Sequence, residues 1–249
     1  MTIKNIISSL AVVLISAQIN AQMNMGMMDN WVDADAYTQM NIGGKQINLN
    51  DVTGTPLLYE DFMAAEIIQL NEENSKLKAN LRYNVFKDVF EIKTKEAEGE
   101  IGTLEKSNQT SFILKGEEFR YFSGPSILFE YGESVNGYLA VIEEDEVDNK
   151  PIKLLKRYHK KFEPEQKPTS SYDTGSPAKF KSGIAYYAKV DGKYFKITTS
   201  KRKAYKDFPE SHQDDIKKYM KKNKIKFRGS ESEQEEELID LIRYFAQNS

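Results

Sequence analysis

The chain has no cysteine and only two histidines, His159 and His212, among 249 residues. This scarcity excludes disulfides, Cys/His zinc sites, thiol nucleophiles and the HExxH metalloprotease motif. The sequence also lacks a Walker A loop, a GxGxxG that follows a strand, and a GxSxG nucleophile elbow. A serine hydrolase would have to use one of the two histidines, and neither has a serine motif near it. We interpret both as surface side chains and expect neither catalytic residues nor a cofactor.

The first 21 residues have the pattern of a secretory signal peptide. Lys4 supplies a positive charge, residues 6–15 form an apolar run, and residues 19–21 fit a cleavage site. The run is shorter than the roughly 20 apolar residues that span a bilayer, so we expect no transmembrane helix in the mature chain. The sequence predicts export to the periplasm or the extracellular space, where a fold without cysteine depends on its core or on a partner.

Four methionines follow this leader within six residues, in a segment that shows no sustained periodicity. We interpret residues 22–45 as a flexible, Met-rich leader. Thioether sulfur is a soft ligand that suits Cu(I), so a copper site in this segment is an alternative interpretation. Its ligands would be Met23, Met25, Met27 and Met28.

Charge is nearly balanced overall, with a formal net charge of −3, but it is distributed unevenly. Residues 22–150 carry 11 basic and 24 acidic side chains, residues 151–228 carry 22 and 8, and residues 229–249 carry 1 and 6. One interpretation is that acidic and basic parts lie against each other or are solvated. The other is that the basic part forms a surface for an anionic polymer, a lipid headgroup or an acidic protein.

The spacing of strand and turn signals predicts a mainly β fold with an α+β composition. From residue 46, short alternating runs are separated by Gly, Pro and Asn-Gly turns, as in an antiparallel sheet, a sandwich or a partly open barrel. Residues 76–94 alternate and then change phase, which indicates either a bulged strand or a hairpin that turns near Lys87-Asp88. We predict an antiparallel β domain at 46–163, a loop or linker at 164–177, and a hairpin with two helices at 178–249.

Residues 183–200 contain the clearest hairpin. Asp191-Gly192 supplies the two positive-φ residues of a type I′ turn, and this turn sets the register. On the first side, which is mainly apolar, the pairs are Val190 with Lys193, Ala188 with Phe195, Tyr186 with Ile197 and Ile184 with Thr199. The second side pairs Tyr187 with Lys196. We expect the first side to lie in the core and the second side to be solvated.

Two helices are predicted at the C-terminus. Ser211 caps the first, which runs to about residue 223. Ser230 and Glu233 form a capping box for the second, whose acidic first turn suits the helix dipole. The expected buried stripes are Ile216, Tyr219 and Met220 in the first helix, and Leu238, Leu241, Ile242 and Phe245 in the second. A short strand is expected between the helices, at Ile225 and Phe227.

Lysine and arginine interleave with aromatic residues in three runs of the basic part. Such interleaving is typical of stacking grooves for single-stranded nucleic acid, but export argues against a nucleic-acid partner. The same alternation occurs on any half-buried strand. What remains is a candidate site for an anionic ligand, formed by Lys201, Arg202, Lys203, Lys217, Lys218, Lys221 and Lys222.

These patterns favour an exported cell-envelope or periplasmic protein that acts by binding or assembly without catalysis. Its partner would be an envelope protein or an anionic polymer. The alternative from another class is a carboxylate-dependent hydrolase of glycan or ester substrates, which needs two inward-facing acids about 5–10 Å apart in a concave pocket. Cu(I) binding by the Met-rich leader is the third hypothesis.

Overall fold

A computed structural model describes most of the chain beyond residue 27. The described residues are 28–33, 39–70, 75–93, 100–122, 136–168, 170, 172 and 174–249. The predicted signal peptide lies outside them, as do Met23, Met25 and Met27, and for Met28 the backbone alone is described.

Eleven of the described strands form one antiparallel sheet, and two more form a separate hairpin. The strands are β1 (Met28–Asp33), β2 (Gln39–Ile42), β3 (Lys45–Asn48), β4 (Met63–Gln69), β5 (Lys76–Asn84), β6 (Val89–Lys93), β7 (Glu100–Leu104), β8 (Thr110–Leu114), β9 (Glu117–Phe122), β10 (Gly137–Val147), β11 (Lys150–Glu163), β12 (Lys179–Val190) and β13 (Lys193–Ile197). The sheet order is β1-β7-β6-β5-β4-β8-β9-β10-β11-β12-β13, and β2 pairs with β3. The predicted mainly β, antiparallel fold is confirmed.

The large sheet is curled. Aromatic side chains from strands that are distant in the sheet order pack together, which a flat sheet would not allow. The ring centroid of Tyr138 in β10 lies 5.0 Å from that of Phe90 in β6 and 6.0 Å from that of Tyr83 in β5. Phe112 and Phe119 join the same buried cluster. Since β1 and β13 end the sheet as it is described, the architecture is an open, curled sheet and not a closed barrel.

Two helices, α1 (Gln213–Lys222) and α2 (Glu231–Asn248), cover one face of β10–β13. We call this face the inner face and the opposite one the outer face. The buried helical residues are Ile216 and Met220 in α1, and Leu238, Leu241, Ile242, Phe245 and Ala246 in α2. The Ser230–Glu233 capping box is also present, so the two predicted helices are confirmed. Neither helix is long and apolar enough to cross a bilayer.

The β12–β13 hairpin turns at Asp191 and Gly192, whose φ angles are +48° and +80°. The predicted register is confirmed for Val190 with Lys193, Ala188 with Phe195, Tyr186 with Ile197 and Tyr187 with Lys196. The pairing stops at Ile197, where β13 ends, so Ile184 and Thr199 are not paired.

The outer face of this hairpin is buried at its centre, so the prediction of a solvated second side is wrong there. Tyr187 is 7% exposed and Tyr194 is 9% exposed. Leu139 of β10 and Leu155 of β11 lie on the same face and pack with them. The neighbouring strands therefore add an apolar centre that the hairpin alone does not reveal.

Residues 76–94 adopt the hairpin alternative, as β5 and β6 with Asp88 in the turn at a φ of +56°. The Asp88 carboxylate accepts hydrogen bonds from the Tyr83 hydroxyl at 2.6 Å and from the backbone N–H of Tyr138 at 3.1 Å. The turn thereby holds the β5–β6 hairpin against β10, across the curl of the sheet.

The structure corrects the predicted start of the first helix. A 3-10 turn at Glu210–His212 precedes α1, which begins at Gln213. Ser211 does not cap α1, because its Oγ lies 2.8 Å from Nδ1 of the neighbouring His212. The short strand predicted at Ile225 and Phe227 is absent: both residues are buried, but they form no strand with any described residue. Their backbone N–H groups form other hydrogen bonds: Ile225 donates to the Met220 carbonyl, and Phe227 donates to the Glu237 carboxylate.

The segment 22–45 also contains more structure than its composition predicts. β1 lies in it and pairs with β7, and β2 lies in it and pairs with β3. Met40 of β2 is 4% exposed and packs with Val52 and Phe180. Pairing partners outside the segment supply the order that its own periodicity does not indicate.

Candidate anion-binding surface

Helix α1 presents its lysines to solvent because its apolar residues face α2 and the sheet. Ile216 and Met220 are buried, and the ring of Tyr219 stacks on that of Tyr244 in α2 with a centroid distance of 4.0 Å. The opposite side of the helix faces solvent and carries the lysines. Lys217, Lys218, Lys221 and Lys222 are all exposed.

A short turn after β13 carries the other predicted cations. Lys201, Arg202 and Lys203 are exposed and precede a 3-10 turn at Ala204–Asp207. This turn is anchored by the Asp207 carboxylate, which accepts hydrogen bonds from the Thr198 backbone N–H at 2.9 Å and from its hydroxyl at 2.8 Å. Burial raises the pKa of Asp207, although these two bonds oppose the shift.

Tyr205 brings the two basic segments together. The Nζ atom of Lys217 in α1 lies 5.1 Å from the centroid of the Tyr205 ring, and that of Lys206 lies 6.0 Å from it. Both distances are within the range of cation–π attraction. The structure therefore joins the two runs that the sequence singled out, and it adds Lys206, which the sequence analysis did not include.

Carboxylates neutralise little of this surface. Lys218 pairs with Asp215 at 2.9 Å, and this exposed pair raises the pKa of Lys218 and lowers that of Asp215. Exposed pairs of this kind contribute little to stability. The remaining cations form no ion pair with any described residue; we call them the basic surface: Lys201, Arg202, Lys203, Lys206, Lys217, Lys221 and Lys222.

A buried lysine that the sequence analysis overlooked lies beneath α2. Lys156 is 2% exposed, and its Nζ atom contacts Glu117 of β9, Glu231 at 2.8 Å and Glu235 at 2.9 Å. The Tyr158 hydroxyl donates to Glu117 at 2.9 Å, and the Tyr186 hydroxyl donates to Glu235 at 3.0 Å. We call these six residues the Lys156 cluster.

The contacts within the Lys156 cluster shift the pKa values of its lysine and its two tyrosines. Burial lowers the pKa of Lys156, but hydrogen bonds with Glu117, Glu231 and the other members outweigh burial and raise it well above its ordinary value. Burial is also the main cause of the raised pKa values of Tyr158 and Tyr186. Because one ammonium contacts all three carboxylates, none is left as the unengaged acid or base that the hydrolase hypothesis requires.

A signal for this cluster exists in the sequence. Ile152, Leu154, Lys156 and Tyr158 occupy alternate positions of one strand, so the lysine is in phase with core residues. A lysine at such a position requires carboxylate partners. Sequence spacing does not say which of the acidic residues supply them.

Two cavities lined by described residues lie away from both groups of side chains. One of about 530 Å³ is lined in part by Arg82, Glu60 and Phe62, and one of about 300 Å³ is lined in part by Ser211 and His212. His212 has no hydrogen bond to a carboxylate in the described part of the chain, so the third member of a serine-hydrolase triad is missing from this pair.

The metal hypotheses receive no support from the described residues. Among them, no group of three or more His, Asp and Glu side chains could hold a metal ion. In the Lys156 cluster the ammonium occupies the position between the carboxylates. The proposed Cu(I) ligands Met23, Met25 and Met27 lie outside the described residues, and so does the side chain of Met28.

Comparisons with protein-family models, with curated proteins and with solved structures found no significant match. The geometry and charge of the sites described above are therefore the basis for inferring a function.

Proposed function

We propose that this chain is an exported, non-enzymatic binding protein that attaches to an anionic polymer through the basic surface. The observation that carries the proposal is the contact of Lys217 in α1 with the Tyr205 ring, beside Lys206, which brings the two cation-bearing segments next to each other. No described carboxylate pairs with the cations of the basic surface. Such a surface raises the local concentration of a polyanion and speeds its association.

The residues that pack beneath the basic surface favour a binding site over a row of cations that are only solvated. Ala204 and Phe208 of the turn are 0% and 2% exposed, and Ile216 of α1 is 1% exposed. The cations are therefore attached to backbone that is packed into the core. A ligand that spans the turn and α1 does not have to order these segments, which reduces the entropic cost of binding.

Binding to dextran sulfate and to polygalacturonate, with neutral dextran as reference, tests the proposal. The variant K217Q/K221Q/K222Q and the variant K201Q/R202Q/K203Q each remove three charges from the basic surface. We expect either variant to weaken binding at least tenfold and to lower its salt dependence, because fewer cations contact the polymer. Isothermal titration calorimetry at several salt concentrations provides both quantities.

The matched control is K45Q/K76Q/K78Q, which removes three exposed lysines from β3 and β5. Its net charge equals that of the triple lysine variant of α1. Equal weakening by the control and the surface variants would mean that net charge alone attracts the polymer, and the proposed surface would be abandoned.

Export is tested separately, by expressing the full chain in a Gram-negative host and determining the mass of the protein in each fraction. A periplasmic or extracellular product that begins at Gln22 supports export. An uncleaved chain that stays in the cytoplasm contradicts it and leaves the polymer measurement unaffected.

A further inference from the structure

The outer face of β11–β13 carries a second group of cations, on the side of the sheet opposite α1 and α2. Arg157 and His159 alternate with the inward-facing Tyr158, so both side chains belong to the outer face. Lys196 of β13 is opposite Tyr187 of β12, which also faces outward. Arg157, His159 and Lys196 are all separate from the basic surface defined above.

His159 is positioned by the residue across from it. It pairs with Gly183 of β12, and a side chain at Gly183 would collide with the imidazole ring. The ring therefore lies against the β12 backbone, at the place where other residues carry a Cβ atom. The next pair along, Arg157 with Ala185, again puts a small residue on β12. The His159 ring fills the position above Gly183, next to Arg157 on the same face.

Arg157 is oriented but keeps donors for a ligand. Its Nη2 atom donates to the backbone carbonyl of Asn136 at 3.1 Å. The guanidinium has no carboxylate partner among the described residues, and neither does Lys196. The outer-face carboxylates nearby are occupied: Glu163 pairs with Lys181 at 3.1 Å and with Lys179 at 3.6 Å, and Glu144 pairs with Arg120 at 2.7 Å and with Lys153.

The three cations of this face also influence one another electrostatically. Burial is the largest cause of its lowered pKa, and the charges of Arg157 and Lys196 lower it further. Both cations thus lie close enough to oppose a third positive charge on the imidazole. A bound anion would relieve this repulsion and favour the imidazolium form.

We propose that Arg157, His159 and Lys196 bind a phosphate group, either free or carried by a small phosphate ester or a lipid headgroup. A guanidinium can donate two parallel hydrogen bonds to phosphate oxygens, while an imidazolium and an ammonium supply single donors. Donors from three side chains on two strands suit a tetrahedral oxyanion with several acceptor oxygens.

The proposal implies that phosphate binding depends on pH. The charged groups that face His159 are Arg157 and Lys161 on its own strand, Lys181 on β12 and Lys196 on β13. All are cationic at neutral pH. In the free protein, burial and the charges of Arg157 and Lys196 lower the pKa of His159 and so favour the neutral ring. Binding favours the protonated ring, so the affinity for a given ionisation state of phosphate rises as pH falls toward that pKa.

The direct measurement is an NMR pH titration of the two histidine Cε1 protons in the full chain. It is made with inorganic phosphate and with chloride at equal ionic strength, and His212 is the internal reference. We expect phosphate to raise the pKa of His159 by about one unit, which corresponds to tenfold tighter binding to the protonated form. The pKa of His212 should stay where it is in chloride. Equal values for His159 in the two salts would overturn the proposal.

Variants separate this cluster from the basic surface. R157Q is expected to weaken phosphate binding at least tenfold and K196Q to weaken it severalfold. H159Q is expected to remove the part of the pH dependence that exceeds the ionisation of phosphate itself. K78Q, on the outer face of β5, and K217Q/K221Q, on α1, should leave phosphate affinity within twofold of wild type. Comparable losses in K78Q and R157Q would show unspecific attraction and contradict the assignment. If K217Q/K221Q loses polymer binding, the phosphate measurement is unaffected, because the two proposals concern different side chains.

Three probes distinguish the sources of the phosphate group: inorganic phosphate, glycerol phosphate, and phosphatidylcholine vesicles with and without phosphatidylglycerol. Binding of the soluble probes that R157Q abolishes supports a free phosphate or a small ester. Cosedimentation with phosphatidylglycerol vesicles alone, again lost in R157Q, supports a lipid headgroup. If none of the probes binds in a manner sensitive to R157Q, the proposal is wrong.

Discussion

The Nζ atom of Lys156 lies 2.8 Å from Oε1 of Glu231, so a buried lysine of β11 holds the first turn of α2 against the sheet. The same ammonium contacts Glu235, one turn further along α2, and Glu117 of β9. A single side chain therefore joins two strands of the sheet to the terminal helix. Because α1 packs on α2 through Tyr219 and Tyr244, the support of the basic surface depends indirectly on Lys156.

Lys156→Met is expected to destabilise the protein by about 3 kcal/mol, since removing one partner of a buried ionic group leaves the others uncompensated. Three carboxylates would then repel one another beneath α2. The free energy of unfolding from urea denaturation measures the effect. K78M, at an exposed strand position, is the control and should change it by less than about 0.5 kcal/mol. A K156M variant as stable as K78M would show that the cluster contributes no net stability.

Gly137→Ala is expected to cost about 2 kcal/mol, because φ at this position is +138° and an added Cβ would lie 2.7 Å from Oδ2 of Asp88. Asp88 cannot move freely, since it accepts hydrogen bonds from Tyr83 and Tyr138. Gly116→Ala is the matched control: φ is +84°, and no atom lies within 4 Å of the added Cβ. Thermal and urea unfolding should rank G137A below G116A, and the reverse ranking contradicts the contact with Asp88.

Acid is expected to weaken the outer-face ion pairs of Arg120. The hydrogen bond from Arg120 is the main cause of the lowered pKa of Glu118, and hydrogen bonds from Lys153 and Arg120 outweigh burial to lower that of Glu144. A carboxyl whose folded pKa is depressed contributes stability above its unfolded pKa of 4.5 and loses it as pH falls through the folded value. Wild type should therefore lose more stability than R120Q between about pH 5 and 3, by roughly 1 kcal/mol at most because the groups are partly exposed. Parallel unfolding curves for the two proteins would contradict this account.

Ser230→Ala is expected to cost about 1 kcal/mol, because the serine side chain accepts the hydrogen bond from the Glu233 backbone N–H and starts α2. Ser232→Ala is the neighbouring control, since Ser232 lies inside the helix and has no capping role. Urea unfolding of both variants distinguishes capping from a general effect of losing a hydroxyl. Equal stability of S230A and S232A would argue against the cap.

Features that depend on a few neighbouring residues were predictable. The Asp191-Gly192 turn, the Ser230–Glu233 capping box and the buried stripe of α2 follow from backbone preference and helical spacing. The start of α1 was less predictable, because Ser211 has two possible partners and its contact with His212 replaces the cap. A local pattern does not say which of two local hydrogen bonds forms.

The candidate sites were predictable in part. The cations at 201–203 and 217–222 were found from composition and spacing, but their meeting at Tyr205 depends on how the turn packs on α1. The grouping of Arg157 and His159 with Lys196 depends on the pairing of β11, β12 and β13. The contact of the His159 ring with Gly183 appears only when β12 is placed beside β11.

The sequence by itself determined the hairpin register, the two helices and the concentration of basic residues in one part of the chain, because these depend on short-range geometry and on counting charge. The tertiary structure alone decided that Lys156 would be buried among Glu117, Glu231 and Glu235, which are 39, 75 and 79 positions away in the chain. It also decided that Tyr187 would be covered on the outer face. Burial and ionic partners are set by which strands and helices come together, and residues far apart in the chain carry no local pattern that specifies this.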